Sequence, residues 1–314
     1  MDTEEVRNWL RNNQEDIRLE NISIEEIRGG ESNHNIILIS DTGRYVLRIS
    51  KEVSRQNRLE NEAKSLKLLQ DEDIEQVPRQ KYFAKDSPFG AVIVEDFIGE
   101  KDLERAHMLE NKQLKSLAEL LGKTHSIDIE KYNKVFGEEE ARKKNLQDIY
   151  QEEFERWSET PYEEYLEIAD EPREDLKKYF EMQKKLLEEI PDVEVPLSFI
   201  HSDLGFNLRT EGDNAVVVDW EYGTSGYAGH DLMILFEHGQ LSEDQRENFL
   251  KEYRKYRELG EEFEKVREIH PGFLAFHDAV WAAKRVEQEQ NKKDRLEILN
   301  RKLDKLETFY KNRN

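Results

Sequence analysis

The stretch from Phe199 to Glu221, FIHSDLGFNLRTEGDNAVVVDWE, constrains the fold of this chain more than any other part of the sequence. Within it, the turn-forming residues EGDN separate the short segment NLRT from the apolar run AVVV, a pattern typical of a β-hairpin. The hairpin is expected to bring Asp203 and Asp219, which lie near its two ends, toward each other, with His201 and Asn207 beside Asp203. Two carboxylates and an amide then share one small volume.

This group of side chains suits a hard cation. Magnesium prefers oxygen ligands and normally reaches a protein through one or two carboxylates together with substrate phosphates, which leaves one carboxylate for proton transfer. Each motif alone is more often structural, because His-Ser-Asp is commonly a turn with a helix cap and an aspartate after an apolar strand is often only its solvated end. Their order and spacing within one stretch favour a functional site.

The order H-x-D, then an asparagine, then D-W-E, carried here between His201 and Glu221, resembles the catalytic core of the aminoglycoside phosphotransferase and choline kinase-like family, relatives of the protein kinases. The resemblance implies an α+β, two-lobed protein kinase-like fold with a small antiparallel-sheet N-lobe and a mostly helical C-lobe. On this basis we expect the nucleotide-binding N-lobe at residues 1–97. The C-lobe, with the catalytic loop and the acceptor site, is expected at residues 98–314.

The resemblance also implies an activity, which is phosphate transfer from ATP to a hydroxyl of a small molecule, with Mg²⁺ as the metal cofactor. Asp203 would orient the acceptor hydroxyl and accept its proton, and His201 would hold the shape of the catalytic loop. Asp219 and Asn207 would hold the metal on the phosphates. Catalysis would rest mainly on alignment and charge neutralisation, because the transferred phosphoryl group has a loose transition state.

A glycine turn lies between two predicted antiparallel strands, at residues 22–27 and 36–39, and it contains Gly30, Ser32 and Asn33. Glycine permits positive φ and a close approach, so such a turn can lay backbone N–H groups over phosphates, although Gly-Gly is equally common in a plain hairpin turn. The turn is similar to the G-G-x-x-N loop of small-molecule kinases. The resemblance implies that these three residues contact the nucleotide.

The next strand, Arg44 to Ser50, carries the cation that the family resemblance pairs with the nucleotide phosphates. That cation would be Arg48, and its partner on the following helix would be Glu62. A guanidinium can bridge a carboxylate and a phosphate in a bidentate way, whereas the alternative is a surface arginine on an edge strand. A later apolar strand resembles the hinge between lobes, which implies that the backbone at Glu95 and Phe97 meets the adenine edge.

One departure from the family pattern concerns the catalytic loop. Family members normally have four residues between the catalytic Asp and the Asn, whereas this chain has three, Leu204-Gly205-Phe206. Gly205 could give the backbone freedom for a tighter turn, or the metal site could be impaired, so a catalytically weak nucleotide-binding regulator is an open alternative. A metal-dependent phosphohydrolase built on His201, Asp203 and Asp219 is another. Such hydrolases gather several histidines, and the eight here are scattered along the sequence.

From about Leu103 onward, the apolar spacing is helical. We expect His125, at the end of one of these helices, to be a packed core residue. Asp231 is expected to anchor the catalytic loop by hydrogen bonds, a role that the family resemblance implies. Toward the C-terminus, separate helices are predicted at about 261–269 and 272–290.

Composition limits the possible partners. The chain has 70 acidic and 48 basic residues, a net charge of −22, and no basic stripe, so nucleic-acid binding is not expected. No apolar run approaches the roughly 18 residues of a membrane span, and the acidic start MDTEEVRNWL differs from a signal peptide. We therefore expect no membrane partner and a cytoplasmic location, with which the absence of cysteine agrees.

The sequence leaves open the identity of the acceptor, the choice between ATP and GTP and the oligomeric state. Carboxylates are dense in the predicted second lobe, and a cleft focuses the field of the charges that line it. We therefore predict an acceptor that is neutral or cationic. The carboxylates on which this prediction depends are Glu152, Glu153, Glu155, Glu163, Glu164 and Glu221.

Overall fold

The computed structural model describes residues 3–29, 33–50, 56–99, 101–103, 105–158, 175–288 and 292–313. Its N-terminal part consists of a small sheet with three helices. The helices are α1 (Thr3–Asn12), α2 (Gln14–Ile17) and α3 (Gln56–Asp71). The strands are β1 (Ser23–Gly29), β2 (Asn33–Ser40), β3 (Gly43–Ser50), β4 (Gln80–Ser87) and β5 (Gly90–Asp96).

The five strands form one antiparallel sheet in the order β1-β2-β3-β5-β4. Arg48 lies on the central strand β3, opposite Ile93 on β5. Because side chains alternate between the two faces of a strand, Arg48 faces away from Leu47 and Ile49, which pack with α1 in an apolar cluster. The same alternation brings Arg48 to the face of the sheet that α3 covers, so the predicted sheet and helix are confirmed.

The C-terminal part is mostly helical. Its helices are α4 (Asn111–His125), α5 (Ile129–Phe136), α6 (Leu146–Ser158), α7 (Asp175–Leu187), α8 (Ala228–His238), α9 (Glu243–Tyr253), α10 (Glu262–Gln288) and α11 (Lys292–Arg313). Short strands lie between them: β6 (Lys101–Asp102), β7 (Lys143–Asn145), β8 (Glu194–Ile200), β9 (Leu208–Glu211), β10 (Asn214–Val217) and β11 (Thr224–Tyr227). Two single 3₁₀ turns span Ala106–Met108 and Trp220–Tyr222.

The short strands form two three-stranded sheets, in the orders β10-β9-β6 and β11-β8-β7. Strands β9 and β10 pair as an antiparallel hairpin in which Leu208 lies opposite Val217 and Glu211 lies opposite Asn214. This is the hairpin that the turn residues and the apolar run predict. It sets the residues that precede β9 beside those that follow β10.

The prediction of two separate helices at 261–269 and 272–290 is wrong, because one helix, α10, runs through Pro271. Proline lacks an N–H and removes one helical hydrogen bond. The helix nevertheless continues because both of its halves are buried in the same core. The buried residues are Phe263, Val266 and Ile269 before the proline, and Leu274, Ala275 and Ala279 after it.

The molecule therefore has the two-part α+β organisation that the sequence predicts, with a small antiparallel sheet followed by a helical region. Its larger core extends from α3 and the inner face of the sheet into the helical part. Among the described residues, no helix has the length and apolarity that crossing a membrane requires.

Candidate active site

Arg48 connects two carboxylates that come from different parts of the chain. Its Nη1 donates to Oε1 of Glu62 on α3, and its Nη2 donates to Oδ1 of Asp219 at 2.6 Å. Arg48 and Glu62 are buried, at 7% and 0% exposure. The structure thus brings the predicted cation, its predicted helix partner and the predicted metal-binding aspartate into one cluster.

Opposite charges favour the ionised forms of Arg48 and Asp219, whereas burial raises the pKa of Glu62 well above its ordinary value. Burial alone would lower the pKa of Arg48, but the carboxylates of Asp219 and Glu62 raise it well above its ordinary value. Burial alone would raise the pKa of Asp219, but the charge and the hydrogen bond of Arg48 lower it below its ordinary value. Asp219 therefore stays ionised, which is the form that binding a metal ion would require.

The backbone at Asp219 is in the left-handed region, with φ 66° and ψ 60°. A non-glycine residue rarely adopts this conformation, because it costs about 1–3 kcal/mol. It persists only where the surrounding structure enforces it. Here the following Trp220 does so. Trp220 is completely buried, stacks on Phe199 at a centroid distance of 5.6 Å, and donates its indole N–H to the Val217 carbonyl at 3.1 Å.

The predicted catalytic loop, residues 201–207, follows β8 and is held in place by Asp231 of α8. The Asp231 carboxylate accepts the backbone N–H groups of His201 and Ser202, at 2.7 and 2.8 Å, and lies 3.2 Å from Nε2 of His125. His125 is completely buried and its Nδ1 lies 2.8 Å from the Tyr253 hydroxyl. The structural roles predicted for Asp231 and His125 are confirmed.

His201 holds the catalytic loop against the hairpin. Its Nε2 lies 3.1 Å from the Val218 carbonyl, and its Nδ1 accepts the backbone N–H of Asp203 at 3.2 Å. With one nitrogen donating and the other accepting, the imidazole is neutral. Burial also lowers the pKa of His201. These contacts connect the ring to the loop and to the residue that precedes Asp219.

The shortened loop closes as a tight turn. Asn207 Nδ2 donates to the Asp203 carbonyl at 2.8 Å and lies 3.4 Å from Asp203 Oδ2, and the Asn207 carbonyl accepts the Val218 N–H at 3.0 Å. Asn207 therefore lies between the two aspartates despite the missing residue. Burial and the nearby charges of Asp219 and Glu221 raise the pKa of Asp203 to about 7.

The predicted phosphate loop is described only at its end, since Gly30 and Ser32 lie outside the described residues. Asn33 is buried and donates from Nδ2 to Oε2 of Glu221 at 3.3 Å. From α3, Asn61 donates to the carbonyls of Glu221 and Gly223, at 3.0 and 2.8 Å. These bonds fix the segment after Asp219 against the N-terminal part of the molecule.

The strand that the sequence predicts to lead into the hinge is β5, which ends at Asp96. The Phe97 N–H donates to the Arg44 carbonyl at 3.0 Å, so it belongs to the sheet and is not open to an adenine edge. The sequence predicts a role for the Glu95 backbone, but the structure shows that the Glu95 side chain is buried beside Arg48, where burial raises its pKa to about 7. No described residue binds Oε2 of Glu95.

A cavity of about 460 Å³ adjoins Asp203 and lies within the C-terminal part of the molecule. Its apolar wall is largely aromatic, and Glu153 also lines it. The histidines are scattered along the sequence, but helix packing brings four of the eight to this cavity, a convergence that no local motif could reveal. They are His230, His238, His270 and His277.

The oxygen atoms near Asp219 fit magnesium. The described residues contain no group of three or more His, Cys, Asp or Glu side chains that could hold a metal ion by themselves. Magnesium does not require such a cage, because it commonly binds one or two carboxylates and completes its shell with substrate phosphates and water. The Asp219 carboxylate and the Asn207 amide oxygen are donors of the appropriate kind.

Comparison with known proteins gives one family match. A family model described as "Phosphotransferase enzyme family" matches residues 23–269. No curated protein matches the chain in sequence.

Solved structures resemble the whole chain. Choline kinase LicA from Streptococcus pneumoniae is 16% identical with a TM-score of 0.65, and the match covers 98% of this chain and 100% of that one. Choline kinase from Cryptosporidium parvum Iowa II is 17% identical with a TM-score of 0.69, covering 99% and 96%. The GDP and kanamycin complex of APH(2″)-IIIa is 15% identical with a TM-score of 0.69, covering 98% and 99%. At such low sequence identities, these similarities show a shared fold alone.

Proposed function

Because the chain belongs to the phosphotransferase enzyme family and has the two-lobed protein kinase-like fold that its sequence predicts, we propose that it transfers phosphate from ATP to a hydroxyl of a small molecule. The observation that carries this proposal is the position of Asp203. This carboxylate lines the 460 Å³ cavity and is close enough to Asp219 for that charge to raise its pKa. An acceptor in the cavity would thus lie next to the phosphate site.

In the proposed reaction, Asp203 orients the acceptor hydroxyl and takes its proton. The hydroxyl oxygen forms a bond to the γ-phosphorus of ATP, the bond from that phosphorus to the bridging oxygen breaks, and the electron pair leaves with ADP. His201 keeps the catalytic loop in place through its bonds to Val218 and Asp203. Most of the rate enhancement would come from alignment and from charge neutralisation.

The nucleotide is proposed to bind between the sheet and the catalytic hairpin, with residues 1–97 as its lobe and residues 98–314 as the acceptor lobe. Arg48, oriented by Glu62, would contact the phosphates, and Asp219 with Asn207 would hold Mg²⁺, which neutralises phosphate charge when bound. Residues proposed for the loop over the phosphates are Gly30, Ser32 and Asn33. The purine is proposed to lie near the Glu95 side chain and the Phe97 carbonyl.

The acceptor is proposed to be neutral or cationic. Of the six carboxylates on which this prediction depends, Glu152 and Glu153 line the cavity. Glu221 instead accepts from Asn33, Glu155 accepts from Gln151 on the same helix, and the other two, at positions 163 and 164, lie outside the described residues. Two of the six carboxylates, Glu152 and Glu153, therefore support the proposed charge preference, and both line the cavity itself.

The decisive test is ADP formation by the purified protein with ATP, Mg²⁺ and a panel of hydroxyl compounds. Asp219→Asn should abolish metal-dependent turnover and leave the fold intact, because Asp219 is the strong magnesium ligand beside the phosphates. The matched control is Asp213→Asn in the exposed turn of the same hairpin, where the carboxylate binds only Lys112 among the described residues. Full activity of Asp219→Asn, or no acceptor-dependent ADP formation by the wild type, would overturn the proposal.

A further inference from the structure

Three residues that line the cavity each have a buried polar atom with no hydrogen-bond partner among the described residues. The atoms are Nε2 of His270, Oγ of Ser225 and Nδ1 of His238. His270 is only 2% exposed, and an unsatisfied buried polar group costs about 1–3 kcal/mol. A molecule in the cavity that forms a hydrogen bond with His270 or Ser225 would remove this cost, so these two residues indicate which group of the acceptor binds here.

The hydrogen-bond partner of His270 limits which kinds of acceptor group could bind to its Nε2. The Tyr150 hydroxyl, itself buried, lies 2.7 Å from Nδ1 of His270. When Tyr150 donates to Nδ1, the proton of the neutral imidazole is on Nε2, which then donates into the cavity. When Nδ1 donates to Tyr150, Nε2 is an acceptor. A hydroxyl both donates and accepts, so it satisfies His270 in either tautomer and can also bond with Ser225.

We propose that His270, oriented by Tyr150, and Ser225 recognise a second hydroxyl of the acceptor, so that the substrate carries at least two hydroxyl groups. This inference rests on the proposed function and adds residues that determine specificity. The volume of 460 Å³ is toward the low end of ligand sites, which span roughly 300–1,000 Å³, and it favours a small polyhydroxylated molecule.

The test compares acceptors that differ by one hydroxyl, such as glycerol with the propanediols and glucose with its monodeoxy derivatives. In the wild type, loss of the recognised hydroxyl should lower kcat/KM by about 10- to 100-fold. His270→Phe and, independently, the smaller change Ser225→Ala should weaken this discrimination. His107→Phe, on an exposed histidine of the 3₁₀ turn, is the matched control.

The outcomes separate the two proposals. If no hydroxyl compound is phosphorylated, the proposed function fails. If phosphate transfer occurs but compounds with one hydroxyl react as well as their dihydroxy partners, only the present inference fails. It also fails if the His270 and Ser225 variants keep the discrimination of the wild type.

A second and independent observation concerns how the shortened catalytic loop is held. A Cβ added to Gly205 would lie 2.4 Å from Cβ of His238, the last residue of α8, so any larger residue here has to displace the loop from His238. The next residue, Phe206, lies 5.3 Å from the His238 ring, and the Arg105 guanidinium lies 4.4 Å from the centroid of Phe206. Arg105 also donates to the His238 carbonyl at 3.3 Å.

The imidazole of His238 is held in place by residues of two other helices. Its Nε2 lies 3.2 Å from both carboxylate oxygens of Asp278 on α10, and Asp278 accepts from Nζ of Lys302 on α11 at 2.6 Å. The loop therefore rests on a side chain that the C-terminal helices hold in one position. We infer that His238 is a positioning residue, which sets the places of Asp203 and Asn207 in a loop that is one residue short.

Kinetics of a compensating pair of variants tests this role. Gly205→Ala should lower kcat by about 10- to 100-fold, since a displacement of roughly 1 Å can cost that much, with the KM for ATP and the Tm nearly unchanged. Combining it with His238→Gly, which removes the opposing Cβ, should restore part of the kcat. Gly212→Ala is the control, because it has positive φ but no neighbour within 4 Å, so it should lower the Tm and leave kcat unchanged.

The inference is overturned if Gly205→Ala keeps the wild-type kcat. It is also overturned if its kcat falls only together with the Tm and the double variant recovers nothing, since that pattern describes a general loss of structure.

Discussion

Arg48 is a buried cation whose charge is balanced by carboxylates from two parts of the chain. Glu62 belongs to a helix of the N-terminal part, whereas Asp219 follows the hairpin of the C-terminal part. A complete buried ion pair of this kind contributes little to the free energy of unfolding, because both charges have lost their hydration. Removal of one member is costly, because the remaining charge is buried without a counter-ion.

We predict that Arg48→Ala loses turnover and lowers the free energy of unfolding by about 3–5 kcal/mol. Arg48→Lys should recover part of both, because a point charge replaces some guanidinium contacts. Urea denaturation and ATP turnover measure the two effects. Arg44→Ala, on the same strand but half exposed and paired with the half-exposed Glu25, should lose less than about 1 kcal/mol. Equal activity of all these proteins would show that Arg48 lies outside the reaction site.

Asp203→Asn should lower kcat by roughly 10²- to 10⁴-fold, the usual contribution of a positioned proton acceptor. The affinity for ATP should change little, because the phosphate-side cluster of Arg48 and Asp219 is left intact. Steady-state kinetics with nucleotide titration separates the two quantities. A fall in nucleotide affinity with an unchanged kcat would instead identify Asp203 as a ligand of the metal or the nucleotide.

The residues that the sequence predicts are those that belong to local motifs. His201, Asp203, Asn207 and Asp219 lie within one stretch, and the hairpin alone brings them together. The contributions of Glu95, His238 and His270 could not be predicted, because each depends on helices or strands that are distant in sequence. Burial of the Glu95 side chain, for example, follows from the strand order, and His238 meets Gly205 only once α8 is packed.

At the scale of elements, the catalytic loop is shaped mainly by α8. Asp231 lies in the first turn of this helix, where the helix dipole favours a negative charge. Burial alone would raise the pKa of Asp231, but the hydrogen bond and charge of His125, together with the backbone N–H of His201, hold the pKa below its ordinary value. The helix therefore presents a charged acceptor to two backbone donors of the loop.

Asp231→Asn should lower the free energy of unfolding near pH 7 by about 1.5–3 kcal/mol, the contribution of hydrogen bonds to a charged group. Because the folded-state pKa of Asp231 is lowered, its contribution is complete above the unfolded pKa of about 3.9 and is lost as the pH falls through the folded value. The difference in unfolding free energy between wild type and variant should therefore shrink as the pH falls below about 4. Asp244→Asn, exposed in the first turn of α9, is the control, and a constant difference at all pH values would contradict the prediction.

Elements were predicted well where the period of the apolar residues is clear, as in α4 and in the hairpin of β9 and β10. The exception is α10, where a local rule about proline competes with burial. Pro271 interrupts the hydrogen bonds of the helix, but the apolar residues on both sides remain on one buried face. Tertiary packing outweighs the single missing bond, and this balance depends on neighbours that the sequence of the helix does not contain.

At the scale of the whole molecule, a few contacts hold the segments that connect the N-terminal and C-terminal parts beside the proposed nucleotide site. Arg209 on β9 donates to the Ile98 carbonyl at 3.2 Å. Gly99 adopts φ +83°, and a Cβ there would lie 2.6 Å from the Arg209 side chain. On the other side, Asn61 bonds to the segment after Asp219. These contacts use a glycine and backbone carbonyls, which sequence patterns do not reveal.

The charge of the whole molecule bears on the choice of acceptor. The net charge is −22, and the cavity is lined by four carboxylates, Glu140, Glu152, Glu153 and Asp203, against two cations, Lys144 and Arg156. Lys144 is already paired with Glu152. An anionic acceptor would therefore lose its hydration in a wall where the described carboxylates outnumber the cations, with Arg156 as the remaining counter-ion. A cationic acceptor would be attracted, since clefts focus the field of their charges.

We predict that kcat/KM decreases from 3-amino-1,2-propanediol to glycerol to glycerate, three acceptors of matched size that carry a positive, a neutral and a negative head. Raising the salt concentration should lower kcat/KM for the cationic compound and leave glycerol unchanged, because salt screens the attraction of exposed charges. Glu153→Gln should reduce the preference for the cation, whereas Glu155→Gln on the same helix, outside the cavity lining, should not. Phosphorylation of glycerate alone would show that the charge argument is wrong, although the proposed kinase activity would stand.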